Sequence, residues 1–394
     1  MTNRPAISDG FAARLALFYG ALFLVLGIQM PFLPVWLAAK GLDAGAIGVV
    51  LAAPMIVRLA IVPVLTGVAD RFDALRATLT ASALAIPVGY SLVGFSSGFW
   101  PILVTVSAVS AIFTSIYPLS DAYALKGLAA RGSAYGPVRL WGSAAFIAGN
   151  LTAGLVADLI PPLDLIWLIV AASCLLAAAG IGLKPLGVAP PPRSETGSAQ
   201  SFLRTPAFIV VTAAVALIQS SHAVFYGFST LAWAAAGLDG RVIGLLWGLA
   251  VVAEIVLFAL SGRLPPWLGA LPLIGLGAVG AVIRWSAMAL DPPAAALVFV
   301  QFLHGLSFAA THLGSMQFLA RAAPANFGAT AQGTFTLVLG VVMAAAMALS
   351  GWLFEAYGAR AYVAMALAAA LGGVLVIAAQ RVWPFEARSA RSSG

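Results

Sequence analysis

Charged side chains are scarce in this chain. Asp, Glu, Lys and Arg make up 8% of its 394 residues, where an ordinary soluble domain carries about 25%. So little charge cannot cover a water-facing globule. A cytosolic enzyme, a secreted domain and a disordered chain are excluded. Cysteine is nearly missing. Cys174 stands alone in an apolar run, which leaves no intrachain disulfide and no thiolate metal cluster. No Walker loop, HExxH, CxxC or GxSxG occurs, so ATP hydrolysis and metal- or serine-dependent hydrolysis lack support; no cofactor and no resident metal are expected. Strict apolar–polar alternation is missing too, which argues against a β-barrel. The N-terminal region has no short apolar core followed by a small-residue cleavage site. Its first hydrophobic run is too long for a signal peptide and is expected to stay as a helix.

What the chain has instead is apolar surface. It is 62% hydrophobic with a mean hydropathy of +1.03, so lipid is its main solvent. Breaks at charged and Pro/Gly-rich points leave twelve runs, each long enough for a transmembrane helix. They lie near 12–38, 44–66, 76–95, 100–125, 138–158, 163–183, 207–235, 241–262, 268–290, 294–320, 327–353 and 360–382. The net charge of +7 comes from basic residues scattered singly, not from a nucleic-acid-binding patch. With the N-terminus in the cytoplasm, Lys40, Arg241 and Arg360 face the far side, and Arg58, Arg139 and Arg284 fall within spans. The other fourteen of the 20 basic residues face the cytoplasm. That positive-inside bias predicts both termini in the cytoplasm of a plasma membrane, in a bacterium the inner membrane.

A polar linker, 184–205, with Pro190-Pro191-Pro192-Arg193 in it, divides the chain into six spans (1–183) and six spans with a short cytoplasmic tail (206–394). The chain is thus expected to be an all-α membrane protein of two six-helix halves. A repeat is visible at an offset of 196: Gly41-Leu42-Asp43 with Ile47-Gly48 recurs as Gly237-Leu238-Asp239 with Ile243-Gly244. At the same offset Arg58 corresponds to Glu254.

Ionisable residues inside spans are costly, at roughly 2.5–3.5 kcal/mol for a charge at the bilayer centre, and usually mark a pathway. Arg58, Glu254 and Arg284 lie mid-span, and Asp121 and Arg139 lie nearer one end. His222, His304 and His312 are the only histidines. If each acid pairs with one Arg, one of the three Arg residues is left over, and an anionic substrate would complete the set as a bidentate carboxylate. The plain alternative is an Arg satisfied by carbonyls or water. A carboxyl whose water access and distance from an Arg change between two conformations would load and release a proton, and Glu254 suits this. A mid-membrane histidine can do the same near neutral pH, so His304 is the second candidate. The alternatives are a permanent ion pair for Glu254 and a hydrogen-bonded packing role for His304 and His312. His222 shares a helical face with Gln219 and Tyr226. Gly275-Leu276-Gly277-Ala278-Val279-Gly280 matches a dinucleotide fingerprint, but it lies inside span 9 without a βαβ unit and reads as helix packing.

The 6+6 layout, and Gly67-Val68-Ala69-Asp70-Arg71 with Arg76 after it, resemble the major facilitator superfamily. The resemblance implies that fold, with Asp70 and Arg71 helping to latch the cytoplasmic side. Pro118-Leu119-Ser120-Asp121, Tyr135-Gly136-Pro137-Val138-Arg139, His222-Ala223-Val224-Phe225-Tyr226, Val252-Ala253-Glu254, Arg284-Trp285 and Gln301-Phe302-Leu303-His304 resemble the phenylpropionate permease family. That family implies proton symport of small aromatic carboxylates such as 3-phenylpropionate. More distantly, Asp121 eighteen residues before Arg139, and Glu254, Arg284 and His304 in spans 8 to 10, are similar to the lactose permease. That similarity implies a coupling role for Glu254, Arg284 and His304. Ser307 stands where the lactose permease has an acidic proton carrier, so its proton route does not carry over intact.

The expectation is a monomeric secondary transporter that imports a small organic anion with protons by alternating access. Arg58, Asp121, Arg139, His222 and Tyr226 are expected at the substrate, and Glu254, Arg284 and His304 at the proton. A sugar or nucleoside symporter and a drug exporter are the alternatives on the same fold. A membrane enzyme is disfavoured because the ionisable residues cluster at mid-depth.

Overall fold

The computed structural model describes residues 10–186, 200–265, 267–323 and 328–383. Linker positions 187–199 and the tail after 383 lie outside them. All regular structure among the described residues is helical. Eleven stretches are long and apolar enough to cross a membrane. The last, Thr330–Val382, has 53 residues, far more than about 30 Å of hydrocarbon requires. It contains two helices joined by a 3₁₀ turn, Gly358–Ala361. The described residues therefore carry twelve crossing segments, as the hydropathy runs predict.

The chain folds as two compact units. One comprises 1–42, 53–193 and 239–245; the other comprises 43–52, 194–238 and 246–394. The first contains α1 (Phe11–Ala39), most of α2 (Ala44–Arg71), α3 (Leu75–Phe95), α4 (Phe99–Ala129), α5 (Tyr135–Ala157) and α6 (Leu165–Ile181). Its core is α1 against α5 and α6, and α3 against α4 and α6. Gly27 of α1 and Gly149 of α5 allow the closest approach. A Cβ at Gly27 would collide with the Phe146 carbonyl oxygen, and one at Gly149 would lie 2.7 Å from the Leu24 oxygen. Small residues at such crossings let backbones touch where lipid offers no hydrophobic drive.

The second unit contains α7 (Gln200–Leu203), α8 (Pro206–Ser220), α9 (Ala223–Ala235), most of α10 (Gly240–Leu260), α11 (Ala270–Ala289), α12 (Ala294–Phe302), α13 (Thr311–Ala322), α14 (Gly328–Tyr357) and α15 (Tyr362–Val382). α15 packs on α8 and α11, and α11 packs on α13. Two of its crossing segments are interrupted, which hydropathy did not reveal. The seventh turns at Ser221-His222, between α8 and α9, and the tenth passes through a π-helical turn, Gly305–Ala310.

Each unit is completed by a helix start from the other half of the sequence, and the repeat explains how. Gly41 and Gly237 both take positive φ, 85° and 86°, and end α1 and α9 in the same way: Leu42 N donates to Leu37 O, and Leu238 N to Trp233 O. This is the left-handed helix stop that glycine tolerates. Asp43 and Asp239 then cap α2 and α10, accepting from Ala46 N at 2.7 Å and Val242 N at 2.8 Å. Within the second unit, Glu355 of α14 accepts from Gly45 N at 3.2 Å. Within the first, Asp158 after α5 accepts from Gly240 N at 2.6 Å and Arg241 N at 3.3 Å. The short sequence match is therefore a structural repeat: the same stop, the same cap, and a carboxylate against a helix N-terminus where the macrodipole favours it.

Glycines set both crossings. A Cβ at Gly154 would collide with the Gly240 carbonyl oxygen, and one at Gly351 with that of Ala44. A Cβ at Gly333 meets open space. Gly154→Ala and Gly351→Ala are accordingly expected to lower the unfolding temperature of the detergent-solubilised protein. Gly333→Ala, which removes a helix-propensity cost of about 1 kcal/mol, is expected to leave it unchanged or raise it.

Candidate functional site

In the first unit, three helices each contribute a pair of side chains one turn apart: Tyr19 and Phe23 on α1, Tyr117 and Asp121 on α4, Tyr135 and Arg139 on α5. Residues four apart share a helix face. The Tyr19 hydroxyl donates to Asp121 Oδ1 at 2.5 Å and the Tyr135 hydroxyl donates to the same oxygen at 2.8 Å. The Arg139 guanidinium lies 4.0 Å from the centre of the Phe23 ring and 5.6 Å from that of Tyr19. Gly142 makes room for this contact, since a Cβ there would sit 2.8 Å from Arg139 Nη1 and 2.9 Å from Phe23 Cδ2. The Tyr117 ring meets Phe23 edge-on at 5.5 Å, and its buried hydroxyl has no hydrogen-bond partner among the described residues.

The expected pairing of each acid with one Arg is not what forms. Asp121 is held by two phenols, and Arg139 makes no hydrogen bond or ion pair among the described residues. Its half-buried planar fork, on an aromatic face, is left open to an anion. Arg58, on α2 between Pro54 and Pro63, is half-buried. Among the described residues it shares no hydrogen bond, ion pair or ring contact with Asp121 or Arg139.

In the second unit Arg284, His304, His222 and Glu254 come together. Arg284 has 0% exposure; its two terminal nitrogens donate to neutral acceptors, and its Nε has no hydrogen-bond partner among the described residues. Nη1 donates to His304 Nδ1 at 2.8 Å and to Ser307 Oγ at 3.3 Å, and Nη2 donates to Gln301 Oε1 at 2.8 Å. Phe225 and Trp285 cover the guanidinium, with ring centres 4.5 and 4.6 Å away, which adds cation–π attraction. Because a guanidinium only donates, the lone pair of His304 must be on Nδ1 and its proton on Nε2. That Nε2 lies 3.8 Å from Glu254 Oε2. His222 Nδ1 sits 3.0 Å from the Gln219 carbonyl oxygen, which only accepts, so its proton is on Nδ1; its Nε2 lies 3.1 Å from Ser307 Oγ. Tyr226 stacks on the His222 ring at 5.6 Å.

The two interruptions put both histidines in reach of Arg284. Ser221, at the first, donates to Ile218 O at 2.6 Å and accepts from Trp285 Nε1 at 2.8 Å. Short hydroxyl side chains compete with the helix in this way. His312 is exposed, stacked on Phe308 at 6.2 Å, and takes no part in the network. Arg71 is exposed beside Phe72, and the Asp70 side chain lies outside the described residues. Sequence reasoning missed Tyr19, Phe23, Tyr117 and Tyr135. The one available signal was the four-residue spacing of Tyr117 from Asp121 and of Tyr135 from Arg139.

The model for the MFS_1 like family matches residues 12–378. The chain belongs to that family. It is 33% identical over 366 residues to the "Probable 3-phenylpropionic acid transporter" of Escherichia coli (strain K12), covering 90% of this chain and 94% of that one. It is 27% identical to the maltose permease of Geobacillus stearothermophilus, over 84% and 86% of the two chains. Among solved structures the nucleoside transporter NupG superposes with a TM-score of 0.77 at 15% identity, over 95% of this chain and 99% of that one. A bacterial homologue of the human lysosomal transporter Spinster, in an inward-facing and occupied conformation, gives 0.78 at 13% identity, over 96% and 99%. These structures share the fold. The family member is a multi-pass membrane transporter, not an enzyme.

The two Arg sites differ in what they demand. Replacing Arg284 by Lys removes a planar fork that satisfies three acceptors in a sealed site, so Arg284→Lys is expected to lower the unfolding temperature in detergent by several degrees. Arg139→Lys leaves no acceptor stranded and is expected to shift it little.

Proposed function

We propose that this transporter imports a small aromatic carboxylate together with a proton, by alternating access. The observation that carries the proposal is the Arg139 guanidinium, laid on the Phe23 ring with no acid partner among the described residues. A carboxylate would take its two parallel N–H donors, the unpartnered Tyr117 hydroxyl is a further donor in the same cluster, and rings surround both. Asp121, fixed by Tyr19 and Tyr135, keeps a second carboxylate face beside it, and Arg58 supplies a second cation on the same unit. His222 and Tyr226 are also proposed as substrate-contacting residues. The 33% identical relative supports an aromatic acid as the substrate class.

Glu254 suits the proton. Arg284 occupies the lone pair of His304, so Glu254 is the base of that cluster that can take a proton without displacing the guanidinium. One proton carried with one monoanion is electroneutral, and a pH gradient alone would drive uptake. Asp70 and Arg71 are proposed, on the family resemblance, to latch the cytoplasmic side. The basic-residue bias supports a plasma-membrane protein with both termini in the cytoplasm. Sugar or nucleoside symport is the second reading, favoured by the maltose permease relative and by a tyrosine-held Asp121 able to accept from hydroxyls.

Proteoliposomes at zero membrane potential test both parts. Adding 3-phenylpropionate outside is expected to alkalinise the external medium, and Glu254→Gln is expected to abolish that signal. Arg139→Lys, which keeps the charge and loses the fork, is expected to reduce uptake about tenfold to a hundredfold, the worth of one charge-assisted hydrogen bond. Tyr117→Phe is expected to raise KM several-fold at unchanged thermal stability. Folded protein that moves no proton with aromatic acids, and does so with a sugar or nucleoside, would establish the second reading instead.

A further inference from the structure

The side chains of the first-unit cluster stand in two layers. Consecutive crossings alternate in direction, so α1 and α5 run one way and α4 runs the other. Tyr19, Asp121 and Tyr135 therefore share one level, and Phe23, Tyr117 and Arg139 share the next, one helical turn or about 6 Å away. The contacts keep to these layers. Asp121 accepts from Tyr19 and Tyr135, and the Phe23 ring meets Tyr117 and Arg139. Tyr19 joins the two, with its hydroxyl on Asp121 and its ring centre 5.6 Å from the Arg139 guanidinium.

The two oxygens of Asp121 differ. Oδ1 accepts from both phenols, which fills its lone pairs. Oδ2 has no hydrogen bond or ion pair among the described residues, and it is not one of the polar atoms sealed away without a partner. The phenols come from different helices, α1 and α5, and turning Oδ2 away would break both of their bonds. The carboxylate is thus a fixed charge with one open oxygen, one layer from an open guanidinium fork.

That pair of open groups constrains what binds across them. A carboxylate seated on Arg139 leaves a gap to Oδ2, which a group on the neighbouring carbon and one hydrogen bond would span. An O–H or N–H in that place donates to Oδ2. A second carboxylate there meets a fixed like charge within about 6 Å, in half-buried surroundings that screen it poorly. Arg58 shares no hydrogen bond, ion pair or ring contact with Asp121 or Arg139 among the described residues, so it does not offset that repulsion.

We infer that Asp121 is a specificity-determining residue: it admits aromatic acids whose second polar group, beside the carboxylate, is a hydrogen-bond donor, and refuses those in which that group is a second carboxylate. The inference rests on the reading of Arg139 as the carboxylate site.

Four acids that differ at one carbon test it. Next to the carboxylate, 3-phenylpropionate carries hydrogen, 3-phenyllactate a hydroxyl, phenylalanine an ammonium and benzylmalonate a second carboxylate. Their Kd values are measured by calorimetric titration of the full-length protein in detergent, at a pH where benzylmalonate is a dianion. Wild type is expected to bind 3-phenyllactate and phenylalanine more tightly than 3-phenylpropionate, and benzylmalonate about tenfold to a hundredfold more weakly than 3-phenylpropionate. Asp121→Asn keeps the shape and an oxygen for the phenols, and sets an N–H donor where Oδ2 stood. It is expected to raise the affinity for benzylmalonate relative to 3-phenylpropionate about tenfold or more, and to remove the advantage of the ammonium group. If Asp121→Asn does not fold, the wild-type order carries the test. Equal binding of all four acids, tightest binding of benzylmalonate by wild type, or an unchanged affinity ratio in Asp121→Asn overturns the proposal and leaves Arg139 as the carboxylate site. Folded protein that binds none of the four removes the Arg139 reading itself, and this inference with it.

Discussion

A guanidinium with no exposed surface, and with no hydrogen-bonded carboxylate among the described residues, governs the second unit. Burying an unpaired charge is costly unless its donors find acceptors, and the two terminal nitrogens of Arg284 find neutral ones in His304, Ser307 and Gln301, while Nε is left without one among the described residues. Much else follows from that requirement. Acceptance by His304 Nδ1 sets its tautomer, and the Gln219 carbonyl sets that of His222. The tenth segment must come close enough to offer all three acceptors, which calls for glycine at 277 and 280 and a π-helical turn across from them. The seventh segment must turn at Ser221-His222 to bring in a second imidazole. Irregular backbone of this kind survives in a membrane only where protein or a polar cavity satisfies it.

Arg139 is the counter-example inside the same molecule. It too lies on aromatic rings, but its fork has no acceptor among the described residues, and the nearby carboxylate of Asp121 is already engaged by Tyr19 and Tyr135. An Arg whose terminal nitrogens are held by neutral groups behaves as structure. An Arg that is half-buried, stacked and without an acid partner among the described residues is, on the proposed reading, half of an ion pair. The difference is decided by neighbours one helical turn away, and side-chain identity alone does not reveal it.

That limit explains what could be read from the sequence. The twelve crossing segments were legible, because about 20 apolar residues in a row have few other uses. The ionisable residues were legible as candidates, because their placement in apolar runs is expensive. Their partners were not. Counting three Arg against two acids suggested ion pairs, and for Asp121 and Arg284 the structure uses two phenols, an imidazole, a hydroxyl and an amide instead. Tyrosine and serine are common in membrane helices for packing alone, so Tyr19 carried no signal of its own and Ser307 stood out only as a departure from the lactose permease. The helix interruptions were hidden for a similar reason. Neither Gly nor Pro stands at Ser221-His222, and hydropathy does not register a turn made by side-chain hydroxyls.

The internal repeat shows which constraints are the stiffer. At the helix starts Ala44 and Gly240, two copies separated by 196 residues keep the left-handed glycine, the Asp cap, the close glycine crossing and the carboxylate against the helix N-terminus. At the same offset, mid-span, Arg58 answers to Glu254, a full reversal of charge. Backbones that touch at glycine admit no variation, since a single Cβ would force them apart. A side chain aimed into polar space is limited only by what sits opposite. One scaffold can therefore keep its crossings intact while one half carries an open cation and the other a sealed cation beside an acid. On the proposed reading, that asymmetry is what lets one carrier take an anion in one half and a proton in the other.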